Sequence, residues 1–356
     1  MPEGHSVHRI ARQFRRHFVE AGPVGVTSPQ GRFAADAALI DGHVLVEAEA
    51  LGKQMFLRFD HDLWLRVHLG MYGAWDFAGD IAVDDTTASA GGRMGQTNQR
   101  GTVVGAAVTG ERGISANARV DGAFEDSVWS IGAPRRTRLR MSEDTKALAD
   151  DAAPGEAGWP PAPIGQVRAR LLTTNAVADL RGPTACEVLD TDAVAPIAAR
   201  LGPDPMVSPE FARAFGLPRG KAAEQQFVER AGSRGTPIGL LLMDQDLVAG
   251  IGNVYRAELL FRARLSPFLA GKAVPEELLR ALWRDWVKLL KTGVETGQML
   301  TMDGLRGKAY AAALAHRADR HWVYHRTGLP CRVCGTPIAM ELAAGRKLYW
   351  CPSCQA

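Results

Sequence analysis

Four cysteines near the C-terminus, arranged as two close pairs, limit what the end of this chain can fold into. CRVC at 331–334 and CPSC at 351–354 give two Cys-x2-Cys pairs separated by 16 residues. Two such knuckles supply four thiolates in the arrangement that tetrahedral zinc requires, and leave no open coordination position. We therefore expect one structural Zn²⁺, with disulfides as the alternative that a cytoplasmic chain disfavours. The expected ligands are Cys331, Cys334, Cys351 and Cys354.

The segment between the two cysteine pairs has the pattern of a β-hairpin. In IAMELAAGRKLYWC, two strand-like runs flank a glycine, which predicts a turn at Gly345 and Arg346. An arginine at a rigid hairpin tip can be directed into a groove or against a phosphate. A solvated turn arginine is the alternative. Zinc ribbons occur in proteins of many functions, so this unit alone does not identify one.

The charge of the chain is unevenly distributed. Residues 1–200 contain 21 Lys and Arg against 25 Asp and Glu, whereas residues 201–356 contain 21 against 14. The C-terminal part is therefore the better candidate for binding a polyanion, with ordinary surface charge as the alternative. The N-terminus lacks the apolar run of a signal peptide, and no stretch of about 18 apolar residues occurs. We expect a soluble cytoplasmic protein that does not bind membranes.

The first part of the chain has the pattern of a β-rich domain that begins with a helix. Apolar residues at helical spacing follow MPEG, and strand-like alternation extends from 43 to 77. Two stretches without sustained periodicity, about 79–133 and 142–164, are interpreted as flexible inserted loops on either side of a strand at 135–141. Strand character resumes at 166. We therefore predict one β-rich domain over 1–195.

The second part of the chain changes to helical periodicity. Four segments have helical spacing, and a small metal-binding unit follows them. We therefore predict an α+β protein with a helical domain over 205–310 and a zinc finger over 322–356. The predicted helices are 208–231, 237–246, 254–263 and 275–296.

The turn VAGIGN lies between two of these helices and has the composition of a ligand-binding turn. Gly250 and Gly252 allow the backbone to approach a ligand closely, and Asn253 begins the next helix. Amide groups at a helix start can bind an anion, and phosphate contacts of this kind position a protein on DNA. A purely structural helical hairpin is an equally good interpretation of this segment taken alone.

Taken together, the motifs identify a resemblance. PEG at the N-terminus, GK before a strand, LLMDQ…VAGIGNVYRAE and the terminal GR…YWCPSCQ occur in this order. The chain closely resembles bacterial formamidopyrimidine-DNA glycosylase/endonuclease VIII proteins over residues 1–77 and about 166–356. The resemblance implies a two-layered β-sandwich, a helix–two-turn–helix domain and a zinc finger, with damaged duplex DNA bound by a monomer in the cleft between domains.

The resemblance also implies roles for particular residues. Removal of Met1 would leave Pro2 as the N-terminus, and its secondary amine would attack the deoxyribose. Glu3 would act as general acid/base in opening the sugar ring. Lys53 would support base loss and elimination, and Arg346 would grip phosphate. The residues expected to contact DNA are Met71, Tyr72, Arg200, Gly252 and Asn253, the first two as a wedge that fills the space of an extruded base.

Departures from the family pattern bear on the substrate. Ser6 stands where many relatives have a glutamate, and Gly70 stands where endonuclease VIII has a polar wedge residue. LRGPTACEV occupies the region where 8-oxoguanine enzymes have Arg-Arg-Phe-Gly. The absence of the Arg-Arg-Phe-Gly segment favours an endonuclease VIII-like enzyme for oxidised pyrimidines. The alternatives are an enzyme directed at 8-oxoguanine and formamidopyrimidine, and a non-catalytic zinc protein that binds damaged DNA.

Overall fold

The computed structural model describes residues 2–81, 129–132, 159–163 and 165–356. These residues form a β-sandwich with a leading helix, then a helical part and a zinc-finger unit, so the predicted α+β fold is confirmed. The helices are α1 (Gly4–His17), α2 (Ala34–Ile40), α3 (Thr191–Arg200), α4 (Pro209–Ala214), α5 (Gly220–Gly232), α6 (Ile238–Leu241), α7 (Asn253–Arg262), α8 (Glu276–Thr296) and α9 (Gly307–Ala315). The strands are β1 (Gly25–Thr27), β2 (Leu45–Leu51), β3 (Gln54–Phe59), β4 (Leu63–His68), β5 (Ala74–Gly79), β6 (Trp129–Gly132), β7 (Val167–Leu172), β8 (Ala176–Arg181), β9 (Ala185–Asp190), β10 (Ala339–Ala343) and β11 (Arg346–Trp350).

The N-terminal part consists of two antiparallel sheets with a shared core. The five-stranded sheet has the order β1-β7-β8-β5-β6, and the four-stranded sheet has the order β2-β3-β4-β9. Phe14 and Phe18 of α1 pack on each other and on the rings of Trp75 and Phe77 in β5. All four rings are fully buried, and burial of each contributes on the order of 2 kcal/mol. This packing fixes α1, and with it the two residues that precede the helix.

The structure corrects the first predicted insertion. Within 79–133, Trp129–Gly132 forms β6, which pairs with β5, and Ile131 is buried in the core. Four residues are too few to show a strand period in the sequence. The strand predicted at 135–141 and most of the second insertion, 142–164, lie outside the described residues. Trp159, near the end of that insertion, packs beside Gly79 at the end of β5.

Helices α3 and α4 cover the outer face of the four-stranded sheet. Phe211 of α4 packs on Phe56 of β3 and Trp64 of β4, and α3 contributes Val194 to the same apolar cluster. The side chain of Ser208 caps α4 by accepting a hydrogen bond from the Phe211 amide. The chain therefore stays in contact with the sandwich beyond residue 205, where we predicted that the helical domain begins.

The helical part differs from the predicted pattern at its start and agrees with it later. The helix predicted at 208–231 is divided into α4 and α5 by GLPRG, in which Gly216 and Gly220 have φ values of 64° and 55°. The helix predicted at 237–246 is only the single turn α6; the residues after it form turns, in which the Gln245 side chain accepts a hydrogen bond from the Gly250 amide. The helices predicted at 254–263 and 275–296 are confirmed as α7 and α8, each shifted by one residue at one or both ends.

The zinc-finger unit packs on α7. Tyr349 of β11 and Val323 form a small apolar core with Ala257 and Phe261 of α7. The predicted hairpin is confirmed, but its turn was placed one residue too late. Ala344 and Gly345 form the two-residue turn, with φ values of 47° and 74°. Arg346, which we predicted to lie in this turn, is the first residue of β11. In the described part of the chain, no helix combines the length and the apolar character needed to cross a bilayer.

Candidate active site at the domain junction

Three glycines bring distant parts of the chain together where the sandwich meets the helical part. The Gly4 amide donates a hydrogen bond of 2.9 Å to the carbonyl oxygen of Gly250. A Cβ atom on Gly52 would lie 2.7 Å from the Cβ of Ala249, and one on Gly4 would lie 2.9 Å from the Cα of Gly250. Real Cβ atoms do not approach this closely, so the backbones can meet only because these residues are glycines. We call Gly4, Gly52 and Gly250 the glycine junction.

Glu3 connects the glycine junction to the start of α7. Its carboxylate is buried and accepts hydrogen bonds from the amides of Gly252 at 3.0 Å, Val254 at 2.9 Å and Tyr255 at 3.4 Å. The exposed amides of a helix start favour a carboxylate, so α7 fixes Glu3 in place. The sequence predicted an anion site here, and the anion in this structure is the side chain of Glu3. A Cβ on Gly252 would lie 2.3 Å from the Glu3 Cδ atom, which explains the glycine.

Lys53 follows Gly52 and lies close to both Glu3 and Arg346. The pKa of Lys53 is lowered to about 8, chiefly by burial; the negative charge of Glu3 opposes this shift and the positive charge of Arg346 adds to it. These electrostatic couplings require the three groups to be near one another. The sequence motifs that contain these three residues are 50 to 343 residues apart, and the fold brings them to one place.

The zinc-finger hairpin is held against α7 by the residue next to Arg346. The carbonyl oxygen of Lys347 accepts hydrogen bonds from the Asn253 side-chain amide at 2.8 Å and from Arg256 at 3.1 Å. Arg256 also donates to the side-chain oxygen of Asn253. Burial lowers the pKa of Arg256 to about 10, and Arg346 contributes to the same effect. Because β11 is anchored at Lys347, the exposed guanidinium of Arg346 is directed from a fixed backbone position.

The four predicted zinc ligands converge in the finger. Their sulfur atoms all lie within 4.8 Å of one another, with 3.4 Å between Cys334 and Cys351 and 4.0 Å between Cys331 and Cys354. Tetrahedral zinc with Zn–S bonds of about 2.3 Å requires sulfur separations of roughly 3.8 Å, whereas a disulfide needs about 2.05 Å. The donor set fits one structural Zn²⁺ and does not fit a pair of disulfides.

The predicted wedge residues lie at the tip of the turn between β4 and β5. Met71 and Tyr72 are 56% and 40% exposed, which excludes the alternative that they are core residues. Gly70 has a φ of 62°, and a Cβ there would lie 1.8 Å from the hydroxyl oxygen of Thr184. The packing of this turn on the turn between β8 and β9 therefore excludes a third wedge side chain at position 70.

Comparison with known proteins agrees with this arrangement. Three family models match: the formamidopyrimidine-DNA glycosylase N-terminal domain over 1–106, the formamidopyrimidine-DNA glycosylase H2TH domain over 201–303, and the zinc finger found in FPG and IleRS over 328–356. Endonuclease 8 1 of Mycobacterium tuberculosis is 35% identical over 355 residues, which cover 100% of both chains. The chain belongs to the formamidopyrimidine-DNA glycosylase/endonuclease VIII family.

Other members of this family are similar over a smaller share of the sequence or only in fold. Formamidopyrimidine-DNA glycosylase of Thermus thermophilus is 38% identical over 167 residues, 45% of this chain and 55% of that protein. The structure of the MutM (Fpg) protein from the same organism aligns with a TM-score of 0.58 at 24% identity, over 99% and 98% of the two chains. Lactococcus lactis Fpg in complex with DNA containing an abasic site aligns with a TM-score of 0.59 at 18% identity, over 99% of each chain. The last two likenesses show the fold.

The resemblance implies that Arg200 contacts DNA, but in the structure its guanidinium already has a protein partner. It forms an exposed ion pair with Asp246, with 3.0 Å between its Nε atom and the carboxylate. This hydrogen bond raises the pKa of Arg200. A phosphate contact at this position would compete with Asp246, and the role of Arg200 stays a prediction.

The sequence analysis missed two groups that border the site. Asp204, in the LGPDP segment, is buried and accepts hydrogen bonds from the Gly52 amide at 2.6 Å and from His8 at 2.9 Å. It therefore holds the backbone that immediately precedes Lys53. His68, at the end of β4, is half-buried; burial lowers its pKa first, and the charges of Arg66 and Lys53 follow. The sequence feature that could have indicated His68 is its position just before the turn that carries Met71 and Tyr72.

Proposed function

We propose that this family member is a bifunctional DNA glycosylase and abasic-site lyase of base excision repair, acting as a monomer on duplex DNA in the cytoplasm and favouring oxidised pyrimidines. The observation that carries the proposal is the assembly of Glu3, Lys53 and Arg346 beside Pro2. Pro2 would become the N-terminus once Met1 is removed. A protein that only bound damaged DNA would not need these groups together.

In this proposal Pro2 is the nucleophile. The α-amino group of a chain titrates near 7.7–8.0 in model peptides, so about a tenth or more of it is neutral at neutral pH. The neutral amine attacks C1′, and the bond to the damaged base breaks with its electron pair on the base, which takes up a proton. A secondary amine then forms a cationic iminium with no N–H proton left to lose, so the positive charge persists through the next step.

Glu3 and Lys53 are proposed to support base loss. Glu3 would give a proton to the ring oxygen of the sugar as the ring opens. Its two oxygens each accept amide hydrogen bonds, yet a carboxylate oxygen has a second lone pair that can hold this proton. The ammonium of Lys53 would lie beside the developing negative charge and stabilise it.

The iminium then serves as the electron sink for strand cleavage. Loss of a C2′ proton sends an electron pair toward the iminium and expels the 3′ phosphate, and a second elimination expels the 5′ phosphate. Arg346 would bind the departing phosphate through paired N–H groups. Met71 and Tyr72 would fill the space left by the extruded nucleotide. Arg200 would contact a backbone phosphate, and so would Asn253 through the second hydrogen of its side-chain amide, whereas the Gly252 amide is already bonded to Glu3.

Two observations favour oxidised pyrimidines over purines. LRGPTACEV, which stands in place of Arg-Arg-Phe-Gly, forms the end of β8, a tight turn and the start of β9, and so lacks the segment that 8-oxoguanine enzymes use against the opposite base. The endonuclease 8 relative also aligns over the whole chain, whereas the formamidopyrimidine-DNA glycosylase of Thermus thermophilus aligns over 45% of it. The second candidate, a purine-directed enzyme of the same family, is separated from the first by the lesion used in the assay.

Borohydride trapping tests the proposal directly. Duplexes carrying an abasic site, thymine glycol or 8-oxoguanine are incubated with the protein and sodium borohydride, which reduces an iminium to a stable adduct. We expect an adduct with the abasic duplex, a faster adduct with thymine glycol than with 8-oxoguanine, and loss of all three in Pro2→Gly. An N-terminal mass lacking Met1 is expected in the active protein.

The same assay separates the alternatives. A faster adduct with 8-oxoguanine would favour the purine-directed enzyme. Binding of the abasic duplex without any adduct would contradict the enzymatic proposal and favour the damaged-DNA-binding protein. Binding of the abasic duplex by Pro2→Gly is the control. If binding is normal, the loss of the adduct in this variant has a chemical cause.

The lowered pKa of Lys53 predicts a pH dependence. If the charged form of Lys53 is required, the rate of base excision falls as the pH rises through about 8, whereas an ordinary lysine keeps its charge to about 10.4. The unfolded state binds the extra proton between these two values, so the free energy of unfolding should rise with pH in that window. The measurement is single-turnover excision against pH, compared between the wild type and Lys53→Arg. A fall near pH 8 that persists unchanged in Lys53→Arg would contradict the assignment, because arginine stays charged there.

A further inference from the structure

Three potential metal ligands lie together at the end of β3 that is distant from Lys53. His43 precedes β2, and Asp60 and His61 form the turn between β3 and β4. One ligand atom from each residue lies within 4.8 Å of the other two. The six residues of β3 separate this turn from Lys53, a distance of roughly 20 Å. The cluster is therefore separate from the glycine junction and from the zinc finger.

The hydrogen bond of His61 to a backbone carbonyl leaves its other ring nitrogen facing the Asp60 carboxylate. His61 Nε2 lies 2.9 Å from the carbonyl oxygen of Leu39, and a carbonyl can only accept, so Nε2 carries a hydrogen. In the neutral ring the Nδ1 atom then carries a lone pair, and it lies 3.5 Å from Asp60 Oδ1. The Asp60 oxygen and this lone pair repel each other unless a proton or a metal ion lies between them.

His43 completes a set of three ligands around the same oxygen. Its Nδ1 atom lies 2.8 Å from Asp60 Oδ1. Three atoms that bind one Zn²⁺ at about 2.0–2.2 Å are separated by roughly 3.3–3.6 Å. The 3.5 Å between His61 Nδ1 and Asp60 Oδ1 is in this range. The 2.8 Å between His43 Nδ1 and Asp60 Oδ1 is a hydrogen-bond distance, which would lengthen when the ion binds. The contacts from Leu39 to His61 Nε2 and from the Val44 amide to the second Asp60 oxygen hold the ligands from behind, as outer partners of metal ligands do.

We propose that His43, Asp60 and His61 bind one Zn²⁺ ion through His43 Nδ1, His61 Nδ1 and Asp60 Oδ1. Two imidazoles and a carboxylate suit a transition-metal ion better than Ca²⁺ or Mg²⁺. The imidazole rings are stacked, with centroids 3.5 Å apart, so the His43 ring would have to turn for both lone pairs to reach one ion, while His61 stays bonded to the Leu39 carbonyl. When the ion binds, it replaces the hydrogen on His43 Nδ1, and the neutral ring carries its hydrogen on Nε2 instead. Water would complete the coordination.

This ion would fasten the loop before β2 to the turn between β3 and β4. A ligand that binds the folded state alone raises the free energy of unfolding by RT ln(1 + [L]/Kd). Added Zn²⁺ is therefore expected to raise the melting temperature of protein whose finger is already filled. The proposal does not depend on catalysis, because none of the three residues belongs to the candidate active site.

Calorimetric titration of ZnCl₂ into zinc-replete protein tests the proposal. We expect one additional equivalent per chain, and loss of roughly 100-fold or more in its affinity in His43→Ala and in His61→Ala, since an outer partner alone is worth about 10–100-fold. The matched control is His316→Ala, which removes an exposed histidine elsewhere and should bind like the wild type. Base-excision activity should be unchanged in all three variants.

Co²⁺ added to the same zinc-replete protein distinguishes this site from exchange at the finger. Binding at His43, Asp60 and His61 should give visible bands without the intense thiolate charge-transfer absorption of a cysteine site. No additional equivalent at pH 8, where histidine is uncharged, would overturn the proposal. An equivalent that survives in both His43→Ala and His61→Ala would overturn it as well.

Discussion

Glu3→Gln is expected to lower the rate of base excision by about 10²–10⁴-fold, the usual contribution of a general acid. Glutamine has the shape of glutamate but cannot give a proton to the sugar ring oxygen. An abasic site already equilibrates with its open-chain aldehyde, so the variant should still form the borohydride adduct with abasic DNA. The measurement is single-turnover excision of thymine glycol alongside trapping on the abasic duplex.

The design separates catalysis from stability. One amide hydrogen of the new side chain would face backbone N–H groups at the start of α7, and an unsatisfied buried group costs about 1–3 kcal/mol. Thermal unfolding of the variant measures this cost. Glu49→Gln is the control, because Glu49, on β2, is another buried carboxylate and lies outside the site. Excision within a few-fold of wild type in Glu3→Gln would remove Glu3 from the mechanism.

Cys351→Ser is expected to abolish tight zinc binding and, with it, most DNA affinity. Cys351 is fully buried, and its sulfur lies 3.4 Å from that of Cys334. In zinc-finger peptides the metal supplies about 10–16 kcal/mol, which is the folding energy of the unit. Without it the core around Tyr349 loosens, and the Lys347 carbonyl that Asn253 holds can no longer orient Arg346. Metal content after dialysis and DNA affinity are the two measurements.

The chain provides a matched control for this change. Cys186→Ser alters the one cysteine outside the zinc set, on β9, and should retain both the metal and DNA affinity. Glu258 gives an independent indication that the finger folds as part of the helical domain. It is buried, burial raises its pKa, and it accepts amides from residues 322–324 that lead into the finger. Normal zinc content in Cys351→Ser would contradict the four-ligand assignment.

What the sequence could predict follows from how local each signal is. The four zinc ligands, α7 and α8 are each indicated by a pattern within one short stretch of sequence. They were predicted nearly to the residue. The β6 strand was missed because four residues have no period, and Arg346 was misplaced by one residue because both Ala344 and Gly345 adopt positive φ. Both errors concern local backbone conformations that several amino acid types can adopt, so the sequence alone does not specify them.

Long-range contacts explain the rest. Glu3 occupies the amides at the start of α7, 249–252 residues away, and this pairing leaves no trace in either segment alone. Asp204 was not predicted, because its role depends on a hydrogen bond from the Gly52 amide, 152 residues away in the sequence. Position 70 shows the same limit. Its glycine was interpreted as a departure from the family pattern, and the structure explains it by the nearness of Thr184.

The glycine junction also limits how this protein can change. At Gly4 and Gly52 any other amino acid would place its Cβ less than 3 Å from the other half of the chain, and at Gly250 it would have to adopt a φ of 94°. Adaptation to a different lesion therefore has to come from the periphery, at Met71, Tyr72 or the loops around them, while the centre stays the same. In this respect the two halves of one chain behave as partners in an obligate complex, in which the shared surface is the part least able to evolve.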